Sequence, residues 1–202
     1  MSNRRLQLRG LEDLGYWEDV CAGKEKPHDG LAEFLTKLRA VHIVAMSFSG
    51  VLTPPHVWLG EDGEKFFQCS QRDLLGVELL KKYGYRVMVV SNRRTKVVEL
   101  RCRKMGVDFF TADDVDRDKG KKGVLYHVMF GTDIFESQIM YIGDDINDLE
   151  AMGMAGVAVA TNDAHSKLYY AADYSTSANG GQHAVREIAD ILLMANGHEL
   201  KL

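Results

Sequence analysis

Five short apolar runs, set among stretches of helical periodicity, constrain this chain more than any other feature. They read VHIVAMS at 41–47, RVMVVS at 86–91, VDFF at 107–110, IMYIG at 139–143 and GVAVA at 156–160. Their length and their β-branched content suit strands buried on both faces. Between and around them, apolar residues recur at helical spacing. Leu31, Phe34, Leu35 and Leu38 predict a leading helix, and Leu74 to Leu80 a second that stops near Gly84. Further helices are expected over 97–105, around Leu125, Val128 and Met129, over 149–152, and over 184–195 with Val185, Ile188, Ile191 and Leu192 on one face. Residues 56–59 and 65–69 flank GEDG and read as a β-hairpin. Strands alternating with helices predict an α/β fold, a doubly wound open parallel sheet of Rossmann type with a small β-hairpin insertion.

The 202 residues suit one domain, large enough to bury a core without disulfides or metal. Residues 1–30 are polar and read as an N-terminal tail or linker, leaving 31–202 as the domain, short leading helix included. A net charge of −4 argues against a general nucleic-acid binder, and Arg4, Arg5 and Arg9 read as a solvated basic tail. Cys21, Cys69 and Cys102 are widely spaced with no CxxC pair, which fits reduced thiols in the cytoplasm, or in an organelle if a targeting segment has been removed. No apolar run reaches the roughly 18 residues that span a bilayer, so no membrane partner is expected.

In doubly wound sheets, ligands sit beyond the C-terminal ends of the strands. Ser47, Ser91 and Asp144 all fall at such ends. The stretch YIGDDINDLEAM ends a strand in Gly143 and follows it with Asp144, Asp145 and Asp148, oxygen donors suited to a hard cation. The competing use of Asp145 or Asp148 is as a helix cap. Ser91 and Asn92, ending VVSN, offer a hydroxyl and backbone N–H groups to a phosphate, or cap the next helix. Lys119, Lys121 and Lys122 precede another helix, where one of them could neutralise a phosphate and the others be solvated.

Taken in order, these segments resemble the haloacid dehalogenase (HAD) superfamily over about residues 40 to 197. They are most similar to its cap-less branch, which holds 3-deoxy-manno-octulosonate 8-phosphate phosphatase and the phosphatase-like domains of some acylneuraminate cytidylyltransferases. SFSGVLT stands where the family has Asp-x-Asp-Gly-Val-Leu-Thr, and VSNRR where it has Thr/Ser-Gly-Arg. SQRDLLG, YIGDDINDLEAM and YSTSANGGQHAVREIADILL match its later segments. The resemblance implies a HAD-like fold and a phosphorylated small molecule, bound by Ser91, Asn92 and Lys121. It also implies Mg²⁺ held by Asp144 and Asp145 with Asp148 in support, and a homo-oligomer, a tetramer built by the hairpin and the tail after 175, with a larger protein assembly as a further option.

The same resemblance assigns Ser47 to the place of the nucleophilic Asp and Ser49 to that of the acid/base Asp. A serine hydroxyl without a base is a poor nucleophile. Neither His42, inside a strand, nor His56, beyond Pro54-Pro55, stands in for one. Weakened Mg²⁺ binding is expected with two carboxylates gone. The family's tail Arg is replaced within Gly180-Gly181-Gln182-His183, and Leu74 replaces a Gly that would leave the entrance open. The expectation is therefore a phosphatase-like pseudoenzyme, leaning away from catalysis and serving as a scaffold or phosphate-ligand binder. The alternatives are an active Mg-dependent hydrolase of a keto-sugar acid phosphate by a non-standard route, and a regulatory or oligomerising domain linked to a nucleotide-sugar synthetase.

Overall fold

A computed structural model describes residues 8–9, 19–27 and 29–201. Most of the expected tail, with Arg4 and Arg5, lies outside the described residues. The elements run β1 (Leu8–Arg9), α1 (Asp29–Arg39), β2 (Ile43–Met46), β3 (Trp58–Leu59), β4 (Lys65–Phe66), α2 (Gln71–Lys82), β5 (Arg86–Ser91), α3 (Lys96–Met105) and β6 (Asp108–Thr111). Then follow α4 (Ala112–Val115), α5 (Gly120–Met129), β7 (Ile139–Gly143), α6 (Leu149–Met154), β8 (Val157–Ala160), α7 (Ser166–Ala171), β9 (Tyr174–Ser175) and α8 (Ala184–Ala195).

Seven strands form one parallel sheet in the order β1-β9-β8-β7-β2-β5-β6. From β2 the chain runs outward through β5 and β6, then returns to lay β7 on the other side of β2. The order therefore reverses between β2 and β7, where a doubly wound sheet opens a crevice. Register aligns the two ends: Met46 lies opposite Val89 on one side and Ile142 on the other. The Ser47 N–H continues the ladder to the Ile142 carbonyl at 3.0 Å.

Successive residues of the central strands serve opposite cores, as the two-residue strand period requires. Val44, Met46, Val87, Val89, Met140 and Ile142 face one layer of helices, α1, α2, α3 and α8. Ile43, Ala45, Met88, Val90, Ile139 and Tyr141 face the other, α5, α6 and α7. Leu31, Phe34, Leu35 and Leu38 of α1 are all buried, so its apolar stripe is a core face. Gly76 lets α2 and α8 approach: a Cβ there would meet the Arg186 Cα at 3.0 Å.

The hairpin is shorter than expected. Only Trp58–Leu59 and Lys65–Phe66 pair, antiparallel, and their side chains are exposed. Beyond them Phe67 turns inward onto Phe48, edge to face at 5.4 Å. Leu74, expected to crowd the entrance, instead packs half-buried on the helix-facing core.

The segment after β9 closes over the loop that follows β2. The Gly181 N–H reaches the Val51 carbonyl at 2.8 Å, and a Cβ at Gly180 would stand 1.9 Å from the Gly50 carbonyl oxygen. Backbone meets backbone there, with no side chain free to yield. Gly180→Ala is expected to destabilise the fold by roughly 1–3 kcal/mol or more. A urea midpoint matching the parent would show that the segment does not need this approach.

Candidate functional site

The loop after β2 and the turn after β7 meet at the strand-order reversal. Three N–H groups, of Val51, Leu52 and Thr53, turn back to the Phe48 carbonyl, at 3.4, 2.9 and 3.2 Å. Gly50 sits at φ +76°, and a Cβ there would fall 1.8 Å from Asp144 Oδ2. No other residue can both take that backbone conformation and leave the Asp144 carboxylate its place.

Asp148 organises the turn. Fully buried, its Oδ1 accepts from Lys121 Nζ at 2.6 Å and from the Tyr141 hydroxyl at 2.7 Å. Its Oδ2 accepts from the backbone N–H groups of Asp144 and Asp145, at 3.2 and 3.4 Å. Gly143 is needed for this approach, since a Cβ there would stand 2.6 Å from that of Asp148. Asp145 is exposed and accepts from the Ile146 N–H at 2.7 Å, as a cap does.

Lys121 projects from the first turn of α5 and is buried. Besides Asp148 it donates to Ser47 Oγ at 3.0 Å, and the Ser47 hydroxyl points to the Ser49 carbonyl at 3.4 Å. Lys119 is exposed and paired with Asp116 at 2.8 Å, while Lys122 lies over the Tyr126 ring at 5.8 Å. Burial, and then the neighbouring Asp148 charge, push the Asp144 carboxyl up to about 7, with Lys121 opposing. Burial, helped by Asp148, holds the Tyr141 phenol far above its ordinary value.

A cavity of about 760 Å³ opens over these groups. Ser47, Ser49, Ser91, Asn92, Lys121, Asp144 and Asp145 all line it, and Asp148 stands behind Lys121. No histidine lines it, and His42 and His56 are exposed elsewhere. At the α3 N-terminus, Thr95 makes no side-chain cap bond, and Lys96, Val97 and Val98 border the cavity.

Several lining or supporting residues escaped the sequence reading: Tyr141, Asn147, Phe67, Lys65, Arg93 and Lys96. Tyr141 had a signal, since a phenol inside a fully apolar strand needs a buried partner. The three cations had none, because exposed lysines and arginines are ordinary. Gln182 and His183 lie outside the cavity and line another with Cys69 to Arg72.

The oxygen donors of this site suit a hard cation. Asp144 and Asp145 are carboxylates, Ser47 and Ser49 add hydroxyls, and neither sulfur nor imidazole intrudes. Among the described residues, no group of three His, Cys, Asp or Glu is arranged around a metal position. Two carboxylates nevertheless match the way Mg²⁺ binds, with waters and substrate phosphate completing its shell.

A doubly wound sheet thus brings a lysine, a strand-end serine and paired aspartates together at its reversal point. The chain belongs to the haloacid dehalogenase-like hydrolases, whose family pattern matches residues 75–161. It is similar to 3-deoxy-D-manno-octulosonate 8-phosphate phosphatase KdsC of Salmonella typhimurium, with 30% identity over 88% of this chain and 90% of that protein. The same phosphatase from Moraxella catarrhalis, solved with magnesium, phosphate and the KDO molecule, is 25% identical with a TM-score of 0.75, over 82% and 92% of the two chains. The cobalt-bound phosphatase of Haemophilus influenzae is 30% identical with a TM-score of 0.73, over 80% and 92%.

These similarities correct the expectation of a chain that leans away from being an enzyme. Relatives matching it almost end to end are phosphatases, two of them solved with divalent metal. Serines at 47 and 49, which line the cavity, do not remove the chain from a family of hydrolases. Among the described residues no helix is long and apolar enough to cross a membrane.

The buried network should respond unequally to its parts. Asp148→Asn strands the Lys121 charge and is expected to cost roughly 3–5 kcal/mol. Tyr141→Phe removes one of four donors and should cost about 1–2 kcal/mol. Equal losses in denaturant titrations would show that the ion pair is not what holds the turn.

Proposed function

We propose that this chain is a divalent-metal-dependent phosphomonoesterase acting on a sugar phosphate, by a route without a carboxylate nucleophile. The observation that carries the reading is the meeting of Ser91, Lys121 and Asp144 in one cavity at the sheet's reversal point, in a chain so similar to sugar-phosphate phosphatases.

Ser91, Asn92 and Lys121 hold the phosphate. Lys121 is engaged by Asp148 at 2.6 Å and offers its remaining N–H donors to phosphate oxygens. The Ser47 hydroxyl already receives from Lys121 and is aimed at a carbonyl, an arrangement that does not present it as a nucleophile. With no histidine at hand, attack falls to water, and Ser47 helps fix the lysine that positions the phosphate. Asp144 and Asp145 hold the divalent cation, with Ser47 and Ser49 beside them. Bound there, the cation supplies neutralisation of phosphate charge and acidification of water. Asp148 acts by holding Lys121 and the turn, not by metal contact, since both its oxygens are engaged. A homo-oligomer, a tetramer built by the hairpin and the tail, is part of the same reading, since the family resemblance implies it.

Phosphate release from a panel of sugar phosphates with Mg²⁺ tests this. Wild-type turnover is expected, stopped by chelator and lowered at least about a hundredfold in Asp144→Asn. Replacing Ser47 and Ser49 together by Asp should raise the rate by restoring a covalent route. A wild type that releases no phosphate from any ester, with its fold intact, would sink the proposal.

Cation binding carries its own pH signature. Asp144 must give up its proton to bind, and its value is raised to about 7. Below that pH the site is protonated and the cation competes with the proton, so Mg²⁺ affinity should fall by up to about tenfold per unit. Above it, affinity levels off. Calorimetric titrations between pH 5.5 and 8.5 (roughly the range either side of that value) should show the bend in wild type and lose it in Asp144→Asn. A flat profile in wild type would place the cation away from Asp144.

A further inference from the structure

Tyr141 carries the only hydroxyl of β7, a strand whose residues are all buried. The sheet leaves room for its ring. In register it lies between Ala45 of β2 and Ala158 of β8, and all three belong to the same core. Phe would fill that space as well, so packing alone does not ask for a phenol oxygen. The hydroxyl donates to Asp148 Oδ1 at 2.7 Å. Burial, and then the Asp148 charge, hold the phenol well above its ordinary value, so it keeps its proton and acts there as a donor.

That oxygen is also the one Lys121 uses. Asp148 Oδ1 receives the two short bonds, from Lys121 Nζ at 2.6 Å and from Tyr141 at 2.7 Å. Oδ2 receives the two longer ones, from the Asp144 and Asp145 N–H groups at 3.2 and 3.4 Å. The two halves of the carboxylate thus divide their work: Oδ2 shapes the turn and Oδ1 sets the lysine. Two donors on one oxygen draw on the same lone-pair density, and each weakens the other's hold. The Lys121 ammonium gives one N–H to Asp148 and another to Ser47, at 2.6 and 3.0 Å. What it offers the cavity it lines therefore depends on how tightly Asp148 keeps it. Tyr141 does not line that cavity, so the phenol acts there only through its partners.

We propose that Tyr141 is a positioning residue for phosphate: by sharing Asp148 Oδ1 with Lys121, it loosens the ion pair and leaves the ammonium free to donate into the cavity. The assignment rests on the phosphatase reading for the place of the phosphate at Lys121. Without the phenol, a buried carboxylate oxygen loses a donor, and Lys121, already in contact, is the group that makes good the loss. The ammonium is drawn onto Asp148, and the phosphate loses part of its partner.

Tyr141→Phe keeps the ring and removes only the oxygen. Two dissociation constants are compared by calorimetry in wild type and variant: that of Mg²⁺ alone, and that of inorganic phosphate at saturating Mg²⁺. Phosphate binding should weaken about five- to tenfold while Mg²⁺ binding changes less than about twofold, because Oδ2 and the turn keep their bonds. A phenol that only supports the structure predicts both constants shifting together as the turn loosens. Equal weakening of both, unchanged phosphate binding, or a variant that no longer folds would each overturn the assignment. A second comparison asks whether the effect passes through the lysine. In a Lys121→Gln background, whose amide still offers Asp148 a donor, Tyr141→Phe should alter phosphate binding by less than about twofold. A further loss as large as in wild type would sink the proposal, and the first comparison decides alone if Lys121→Gln does not fold. Phosphate release from sugar phosphates, measured on the same samples, keeps the two readings apart. Selective loss of phosphate binding in a protein that hydrolyses nothing sinks the phosphatase reading and keeps the role of Tyr141, while hydrolysis with equal losses does the reverse. A wild type that binds no phosphate at millimolar concentration overturns the positioning role, and its turnover then judges the phosphatase reading separately.

Discussion

Everything at the mouth of this sheet hangs on the carboxylate of Asp148. It is fully buried, and four donors converge on its two oxygens. A buried charge is tolerable only when paired and hydrogen-bonded, and this one is both. Two of its donors are the N–H groups of Asp144 and Asp145, so the charge shapes the turn that presents those side chains. A third is Lys121, which comes from a helix packed on one face of the sheet and reaches Ser47 at the end of β2. One side chain thus couples β7, β2 and α5, the elements around the reversal point.

That coupling also sets the electrostatics. Burial raises Asp144 most, and the carboxylate that shapes the turn is the like charge that adds to it. Lys121 lowers it in part, but its charge is shared with Asp148. Without a cation the turn is therefore electrostatically unfinished, and Asp144, raised to about 7, is partly protonated near neutral pH. A divalent ion or a shared proton completes it, and these compete. The packing around Asp144 leaves it little freedom, because Gly50 lies against its carboxylate and the Asp144 carbonyl accepts from the His165 N–H at 2.8 Å.

The sheet was largely legible because its strands are apolar and buried on both faces. RVMVVS and IMYIG coincide with β5 and β7 to the residue, and the helix over 184–195 coincides with α8. The run at 41–47 is longer than β2, since Val41 and His42 lead in from α1 and Ser47 already turns. Tyr174–Ser175 and Ser166–Ala171 were not anticipated. A two-residue strand has no period to read, and a helix of six residues falls short of two turns. Contacts between distant parts were illegible for a different reason. Asp73 is buried and accepts from the N–H groups of His183, at φ +85°, and Arg186, more than a hundred residues away. It reads locally as a first-turn acid of its own helix, which is also true. Lys65, Arg93 and Lys96 likewise read as solvated charge until the fold sets them around one opening.

The two serines change the balance of forces in this opening more than its shape. At about 4 Å and an effective dielectric of about 20, a carboxylate repels each unit of phosphate charge by roughly 4 kcal/mol. Aspartates at 47 and 49 would set such charges beside the phosphate, and a bound cation would have to offset them. With serines there, the phosphate meets Lys121 with less opposition, and the cation has less to hold it. Ligand binding and metal binding are thus traded against each other at fixed geometry. In the proposed reading the site forgoes the covalent path, because the Ser47 hydroxyl is bonded to a lysine already engaged by Asp148 and faces no free base. Hydrolysis in such a site must draw on charge neutralisation and positioning, which are the larger part of phosphoryl-transfer catalysis in any case. The residues proposed to supply both, Lys121 and the Asp144–Asp145 turn, are those that the buried carboxylate of Asp148 holds in place.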